Sequence, residues 1–496
     1  MTTNAKEPTT TTLAADPDAG TADLLRHAAD LAIDYRSSLP DRRVGVVPDL
    51  TADDLRRRLG GPLPREGTDA REVIDDLAAG VDPGLIAISG PRYFGFVMGG
   101  SVPAALAADW LTSVWDQNVG LYLATPAASV VEEVVADWLV ELFGLPVGTS
   151  VGFVSGATMA NFTAIAAARH AVLRAAGWDV EEQGLQGAPP VRVVVGNDVH
   201  VSLLNALRYT GLGRGRVERI ESDDEGRMDA GALAEALRGH DEPTIVAAQA
   251  GDVNTGAFDP LDRIVTTVRQ HPNAWLHVDG AFGLWAAASP RLRHLVRGID
   301  GADSWGTDAH KWLNVPYDAG IVFVRDTAAH RASMGLAAAY LPPAPGQERD
   351  PFEYVPEMSR RARAFPIYAA IRSLGATGIA EMVERGCDLA SRIARRLANH
   401  PDVRIVNEVV LNQVLVAVGD QATTKAVIER IQTDGVLWLG GTTFHGTPAL
   451  RISVSGWNTR EDDADRSADA ILAAIDAVRA GRAVSPDAVS PDRDGS

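Results

Sequence analysis

Residues 150–330 alternate short apolar runs, rich in valine and isoleucine, with segments of helical periodicity. The runs are VGFVSG, VRVVVGN, TIVAAQAG, AWLHVDG, ADSWGTD and GIVFVRD. Strands that are apolar along nearly their whole length are typical of a parallel sheet with both faces buried under helices. The pattern therefore predicts an α/β domain with a mostly parallel central sheet.

The segments on either side of this region follow different patterns. Helical spacing dominates from about residue 22 to 140, where TADLLRHAADLAIDYRSSL and TADDLRRRLG each begin with a threonine that we expect to cap a helix. A helical run over 364–399 is followed by two strand-like runs, VRIVNEVVLNQVLVAV and ALRISVSGWNT. We predict a disordered tail over 1–20, a helical N-terminal segment over 21–100, a large α/β domain over 101–385, a small α+β domain over 386–483 and a disordered tail over 484–496.

Composition narrows the function classes. The formal net charge is −19, which disfavours binding to nucleic acid or to an anionic membrane surface. Cys387 is the only cysteine, which excludes an intrachain disulfide and a cysteine-rich metal site. No signal peptide and no run of 18 apolar residues is visible, so we expect a cytoplasmic protein without membrane spans.

Charged residues follow two of the predicted strands. Asp279 ends the run AWLHVD and precedes Gly-Ala rather than a helix cap, and an unpaired buried carboxylate is costly. Asp308, His310 and Lys311 follow the run ADSWGT. Lysine shifts its pKa readily when buried, and its amine forms Schiff bases with carbonyl groups. Because ligands of parallel α/β sheets bind at the carboxyl ends of strands, we expect Asp279 and Lys311 to share one site.

Two further strand ends complete a candidate cofactor site. The turn at 155–158, Ser-Gly-Ala-Thr, opens a helix and suits a phosphate, although a plain strand–helix turn is the alternative interpretation. His200 follows VRVVVGN and is either a ring-stacking residue or a structural histidine. Enzymes that use pyridoxal phosphate need a lysine, an acid against the pyridinium nitrogen and a phosphate seat. Lys311, Asp279 and this turn supply all three. His277 and Asp279 have no third ligand nearby in sequence, so we expect no metal site.

The chain resembles the group II pyridoxal-phosphate-dependent amino acid decarboxylases, the family of aromatic amino acid, glutamate, histidine and tyrosine decarboxylases. The resemblance runs from GPRYFGFV to ALRISVSGWNT through GFVSGATMANFTAI, DVHVSLLNAL, NTGAFDP, WLHVDGAFG and DAHKWLNVPYDAG, in the order of the family. It implies the PLP-dependent transferase fold type I, which is aspartate aminotransferase-like, and a homodimer with active sites at the subunit interface. It also implies decarboxylation of an L-amino acid to an amine and CO2.

The resemblance also implies roles for individual residues. Lys311 is the Schiff-base lysine, Asp279 the pyridinium partner and His200 the stacking residue. The residues implied around the phosphate and under the ring are Ala157, Thr158, Asp308, His310 and Ala281. A tyrosine in the loop over about 335–360 donates a proton, and the loop offers Tyr340 and Tyr354. We prefer Tyr354 because it lies nearer the segment SRRARAFP that follows the loop.

The substrate prediction comes from an apolar segment. Phe94, Phe96, Val97 and Met98 favour a hydrophobic or aromatic amino acid over glutamate, with core packing as the alternative interpretation. Three other functions stay open at this point. They are decarboxylation with oxidative deamination to an aldehyde, which the family adopts when the loop tyrosine is lost, aminotransfer with Arg451 holding the α-carboxylate, and a catalytically degenerate relative that binds partners.

Overall fold

The computed structural model describes residues 20–335 and 348–483. The predicted disordered tails, apart from Gly20, lie outside these residues, and so does Tyr340. The chain divides into two compact units, Met1–Ala87 and Ile88–Ser496. In the part of the chain that is described, no helix is both long and apolar enough to span a lipid bilayer.

The first unit contains three helices, α1 (Thr21–Ser38), α2 (Ala52–Leu59) and α3 (Ala70–Val81). The Thr51 hydroxyl caps α2 by accepting the Asp54 N–H at 3.1 Å, as expected. The predicted cap at Thr21 is wrong, because Gly20 stands at the cap position with φ 86° and Thr21 lies inside the helix. Among the residues of these three helices, only Gly80 is buried.

The second unit contains the predicted α/β domain. Two helices, α4 (Pro103–Trp115) and α5 (Pro126–Phe143), precede it. Its strands are β1 (Ser150–Val154), β2 (Arg192–Gly196), β3 (Glu218–Ile220), β4 (Thr244–Gln249), β5 (Ala274–Asp279), β6 (Ser304–Asp308) and β7 (Gly320–Val324). The helices between and after them are α6 (Ala157–Ala175), α7 (Val180–Gln183), α8 (Val201–Tyr209), α9 (Ala230–Leu237), α10 (Leu261–Val268) and α11 (Thr327–Met334).

These seven strands form one sheet in the order β1-β7-β6-β5-β4-β2-β3. Only β7 runs against the other strands, since it pairs antiparallel with both β1 and β6. All residues of β1, β4, β6 and β7 are buried, which explains why these runs are apolar almost throughout. The predicted mostly parallel sheet is confirmed. The short strand β3 was not predicted, because its three residues carry no distinct pattern.

The C-terminal part builds a second, smaller sheet. Its strands are β8 (Arg404–Ile405), β9 (Gln413–Ala417), β10 (Gly440–Phe444) and β11 (Thr447–Ser453), and its helices are α12 (Ala364–Leu397), α13 (Gln421–Asp434) and α14 (Glu461–Ala483). The order β10-β11-β9-β8 is antiparallel throughout. Helix α12 runs across residue 385 without a break there, although it contains a kink at Gly375. The predicted domain boundaries at 100 and 385 stay predictions.

Candidate active site

The site is built where two neighbouring parallel strands end. Strands β5 and β6 pair with Asp279 opposite Gly306, so Asp279 and Asp308 lie at the same edge of the sheet. Both carboxylates are buried, with exposed fractions of 4% and 2%. Lys311 lies in the turn after β6, and its Nζ is 2.9 Å from Oδ2 of Asp308. Lys311 therefore has an acidic partner three residues earlier in the sequence.

Asp308 also joins this edge to the first strand–helix turn. Its Oδ1 accepts the N–H of Ala157 at 2.6 Å, which is the first N–H of α6. A Cβ added at Gly156 would lie 3.3 Å from the His310 ring, so the turn packs closely against this histidine. Among the described residues, neither the N–H nor the hydroxyl of Thr158 has a hydrogen-bond partner. The turn thus offers an anion one free amide and one free hydroxyl at the positive end of a 19-residue helix.

Asp279 is held by two donors. Its Oδ2 accepts the side-chain N–H of Asn161 at 2.8 Å, and its Oδ1 accepts the N–H of Ala281 at 3.1 Å. The carbonyl of Ala281 in turn accepts the N–H of Asp308. Ala281 therefore lies between the two strand ends, and its place under the cofactor ring stays a prediction. Asn161, on α6, was not predicted, because one polar residue in a helical pattern carries no functional signal.

His200 caps the N-terminus of α8 at the end of β2. Its Nδ1 accepts the N–H of Ser202 at 3.2 Å and lies 2.7 Å from that hydroxyl. Burial lowers the pKa of His200, and the charge of Asp279 opposes this shift while those of Lys311 and Arg451 reinforce it. The Ser202 hydroxyl beside His200 lies 3.3 Å from Nδ2 of Asn161, which donates to Asp279, so His200 lies near the Asp279–Lys311 edge. Arg451, on β11, is itself half-buried, and burial lowers its pKa.

His310 and Tyr317 form one face next to Asp308. The ring centroids of His310 and Tyr317 are 4.3 Å apart. His310 Nδ1 accepts the N–H of Ala319 at 3.1 Å, which leaves the proton of the neutral ring on Nε2, 3.6 Å from Oδ1 of Asp308. Burial lowers the pKa of His310 and raises that of the Tyr317 hydroxyl. Tyr317 was not predicted to line the site, although it lies six residues after Lys311 in DAHKWLNVPYDAG.

The apolar segment 94–98 approaches the lysine through its backbone. A Cβ added at the next residue, Gly99, would lie 1.8 Å from the carbonyl oxygen of Lys311, so only glycine allows this close approach. The N–H of Gly100 donates to Oδ1 of Asn314 at 2.6 Å. Met98, which is half-buried, therefore lies one residue from a contact with Lys311.

The four predicted substrate residues differ in burial. Phe94 is 1% exposed and packs in the core of the small C-terminal sheet, so core packing describes its position. Val97 is also buried, with a positive φ of 57°. Phe96 is 56% exposed, and its ring centroid is 5.3 Å from that of Trp438. Phe96 and Met98 are thus the members of the set that remain available to a ligand.

Tyr354 ends a short helical turn, Pro351–Tyr354, inside the loop over about 335–360. Its ring is 3.9 Å from the Arg349 guanidinium and 5.4 Å from the His330 ring, and its carbonyl accepts the His330 Nε2 proton at 3.0 Å. Within the described ranges, no hydrogen bond, ion pair or ring contact joins Tyr354 to Lys311, Asp279 or His200. The chain therefore does not bring Tyr354 to its own lysine.

The donor set fits pyridoxal phosphate. Lys311 supplies a primary amine, and Asp279 supplies a carboxylate with lone pairs left over after its two hydrogen bonds. The turn at Thr158 supplies free donors for a phosphate, and His200 adds a flat ring at the same edge. Among the residues that the structure describes, no group of three or more His, Cys, Asp or Glu is arranged to hold a metal ion.

Comparison with known proteins identifies the family of the chain. Residues 53–418 match the model of the pyridoxal-dependent decarboxylase conserved domain. The chain is 28% identical over 386 residues to an aromatic-L-amino-acid decarboxylase of Bacillus atrophaeus, over 76% of this chain and 78% of the relative. It is 25% identical over 476 residues to tryptophan decarboxylase 1 of Oryza sativa subsp. japonica, over 90% and 91%.

A solved structure supports the fold. The crystal structure of Oryza sativa TDC with PLP and tryptamine matches with a TM-score of 0.85 at 22% identity, over 95% of this chain and 99% of that chain. The predicted fold type I architecture is confirmed by this likeness.

Proposed function

The chain belongs to the pyridoxal-dependent decarboxylase family, and on that premise we propose that it removes CO2 from a hydrophobic or aromatic L-amino acid to form the corresponding amine. The observation that carries the proposal is the ion pair between Nζ of Lys311 and Oδ2 of Asp308 at 2.9 Å. Asp308 ends β6, which pairs with β5, the strand that ends in Asp279. An amine and a carboxylate at adjacent strand ends are the two groups that the cofactor requires of a protein.

When bound, pyridoxal phosphate supplies an aldehyde that an amine can attack and a protonated ring that accepts the electron pair left behind by CO2. Lys311 is the proposed attachment point, and Asp308 holds its Nζ at the edge of the sheet. The proposed phosphate seat is the turn at Ala157 and Thr158, with the Nε2 proton of His310 facing it. These residues are proposed to bind and orient the cofactor.

Asp279 is the proposed partner of the cofactor ring nitrogen, and the Asn161 and Ala281 donors fix the direction of its carboxylate. His200 is proposed to stack on the ring, as a neutral imidazole, since burial lowers its pKa. Arg451 is the half-buried cation whose charge acts on His200. It is the natural partner for a substrate α-carboxylate, because a guanidinium binds a carboxylate through two parallel hydrogen bonds.

The proposed substrate class follows from the exposed members of the apolar segment. Phe96 is exposed and Met98 is half-buried, one residue before the Gly99–Lys311 contact. An apolar surface favours an apolar side chain by about 25 cal/mol per Å² of buried surface. A carboxylate side chain placed there would lose its hydration without gaining a cationic partner. Aromatic and large aliphatic amino acids are therefore proposed over glutamate.

We test the proposal by measuring CO2 release from each of the twenty amino acids in the presence of pyridoxal phosphate, with amine formation followed separately. We expect release from an aromatic or large aliphatic amino acid and none from glutamate. Release from glutamate alone would contradict the substrate class. A protein that binds the cofactor and releases CO2 from no amino acid would contradict decarboxylation itself and favour a degenerate relative.

The proton donor is proposed to be Tyr354, whose hydroxyl has no hydrogen-bond partner among the described residues. Because the chain does not bring Tyr354 to its own lysine, this tyrosine is proposed to act on the site of the second subunit in a homodimer. We expect Tyr354→Phe to lose amine formation and to release aldehyde, ammonia and peroxide instead, because the carbon left by CO2 is no longer protonated and oxygen can react. The matched variant is Tyr340→Phe. If Tyr340→Phe changes the products and Tyr354→Phe does not, Tyr340 is the donor, and the contacts of Tyr354 with Arg349 and His330 are structural.

Aminotransfer is the second candidate, and the half-buried Arg451 favours it, since a carboxylate clamp serves both reactions. Supplying an amino acid together with a 2-oxo acid distinguishes the two, because aminotransfer needs an amino donor and releases no CO2. We expect no new amino acid. A new amino acid that forms faster than CO2 would replace decarboxylation by aminotransfer as the main activity.

A homodimer with active sites at the interface is part of the proposal. Helix α4 carries an apolar face that is open to solvent, made of Trp110, Leu111, Val114 and Trp115, with exposed fractions from 40% to 65%. These positions recur at helical spacing, and exposed apolar patches of this kind mark protein interfaces. A second copy of the chain is proposed to cover this face.

A cytoplasmic location is also proposed, because Cys387 is the only cysteine of the sequence and is buried.

We expect Leu111→Glu with Val114→Glu to convert the protein to a monomer, because two charges would be buried in the interface without partners. Size-exclusion chromatography with light scattering should give about half of the wild-type mass. Val147, which is fully exposed outside this face, provides the control variant Val147→Glu. A dimeric double variant would rule out the α4 face as the interface.

A further inference from the structure

A continuous chain of hydrogen bonds runs behind the site, from β5 and β6 to Asp279. The Trp275 indole N–H donates to the Ser304 hydroxyl at 2.8 Å, and this hydroxyl lies 2.9 Å from Nδ1 of His277. Nε2 of His277 lies 3.0 Å from Oδ1 of Asn161, whose Nδ2 donates to Asp279 at 2.8 Å. Ser304, His277 and Asn161 have no exposed surface, and Trp275 is 5% exposed.

The carboxylate end of the chain decides its direction. A carboxylate can only accept, so the Asn161 atom that faces Asp279 is Nδ2, and the atom that faces His277 is the acceptor Oδ1. Nε2 of the neutral His277 ring therefore carries the single proton and donates it to Oδ1. Nδ1 is then an acceptor, and the Ser304 hydroxyl, which accepts the Trp275 N–H, donates to it. Complete burial keeps His277 neutral by lowering its pKa to about 4.

This direction also determines how the Asn161 amide is turned. With Oδ1 accepting from His277, the Nδ2 group faces Asp279. The opposite orientation would set an amide oxygen against the carboxylate and an amide N–H against the Nε2 proton of His277. Burying unpaired polar groups is costly, so only one orientation of the amide is stable.

Asn161 is a branch point. Its Nδ2 also lies 3.3 Å from the Ser202 hydroxyl, which is 2.7 Å from Nδ1 of His200. Since Ser202 accepts from the amide, its own proton goes to Nδ1 of His200, which also accepts the Ser202 N–H. The His200 proton is thereby placed on Nε2. One amide thus contacts the carboxylate and, through one hydroxyl, the imidazole.

We propose that Asn161 is a positioning residue that fixes both the carboxylate direction of Asp279 and the tautomer of His200, and that Trp275, Ser304 and His277 orient its amide. The inference rests on the cofactor placement proposed above. It gives a role to three polar residues with no exposed surface, Asn161, His277 and Ser304.

The test combines the dissociation constant of pyridoxal phosphate with the ¹⁵N chemical shift of the ring nitrogen in ¹⁵N-labelled cofactor, which reports the protonation of that atom. We expect Asn161→Ala to raise the dissociation constant at least about tenfold, since a hydrogen bond to a charged group is lost. We also expect its ¹⁵N signal to move toward the unprotonated position. Asn412→Ala, which removes an equally buried asparagine bonded to Val454 and Ser455, is the control and should leave both readouts unchanged.

A pair of variants at His277 tests the direction of the chain and remains informative if Asn161→Ala does not fold. His277→Gln keeps an N–H in place of Nε2 and should preserve the ¹⁵N shift, whereas His277→Leu should reproduce the Asn161→Ala signal. The inference would be overturned if folded Asn161→Ala kept the wild-type dissociation constant and ¹⁵N chemical shift. It would also be overturned if the two His277 variants gave the same ¹⁵N chemical shift. Failure of the wild-type protein to bind pyridoxal phosphate through Lys311 would instead overturn the proposed function.

Discussion

Replacing Lys311 by alanine is expected to reduce decarboxylation by a factor on the order of 10⁴ or more, the size of effect seen when a covalent catalytic group is removed. The cofactor would still meet Asp279 and the turn at Thr158, so weak binding should persist. The absorbance band of covalently attached pyridoxal phosphate should disappear. Activity assays and absorbance spectra of the purified variant measure both effects.

The sequence provides an unusually clean control for this experiment. The chain contains only three lysines, Lys6, Lys311 and Lys425. Lys425 lies on α13 with its side chain 76% exposed, and its Nζ is 3.6 Å from Glu429. Lys425→Ala should keep the activity and the band. Borohydride reduction followed by peptide mapping should place the label on Lys311 alone, and a label on either other lysine would refute its assignment.

Asp279→Asn should lower kcat on the order of 10²–10³-fold, as for removal of one preorganised electrostatic partner, while cofactor binding weakens less. The carboxylate accepts from Asn161 and Ala281, and an amide at 279 would turn its own N–H against one of these donors. The ring nitrogen would lose the charge that keeps it protonated. Steady-state kinetics and cofactor titration of the same variant separate the two effects.

Asp303 offers the matched comparison at the opposite edge of the same sheet. It is a buried carboxylate just before β6, where it accepts the Leu276 N–H at 2.7 Å and pairs with Arg269 at 2.7 Å. Asp303→Asn should lower stability without changing kcat. If both variants lose activity in parallel with their melting temperatures, Asp279 acts through folding, and its proposed role fails.

The strand ends could be predicted because each strand that supplies them is an apolar run visible in the sequence. Asp279 and Lys311 stood out for a simple reason: a charged group directly after such a run is costly unless it has a partner or a function. Phe94 shows the limit of the same reasoning. Its apolar side chain suited a substrate wall and a core equally, and only its neighbours in the small sheet decide that it is core.

Tyr317 and Asn161 mark a second limit. Neither has a local sequence pattern that separates it from an ordinary loop or helix residue. Their place in the site depends on contacts with residues from other parts of the chain. The Tyr317 ring contacts the His310 ring, and Asn161 contacts a carboxylate 118 positions away and an imidazole 116 positions away. The partner of a polar side chain depends on how the strands and helices are arranged in space, which spacing along the chain does not report.

By itself, the amino-acid sequence determined the α/β architecture, the candidate residues Lys311 and Asp279 and the cofactor class. Residue type and order are enough for these predictions, because they show which strands are buried and where a charged group would be costly. Only the tertiary structure decided which donors hold Asp279, which carboxylate pairs with Lys311 and which residues of the apolar segment 94–98 stay exposed. Hydrogen bonds and packing contacts act over a few ångströms, and residues far apart in the chain come that close only in the folded protein.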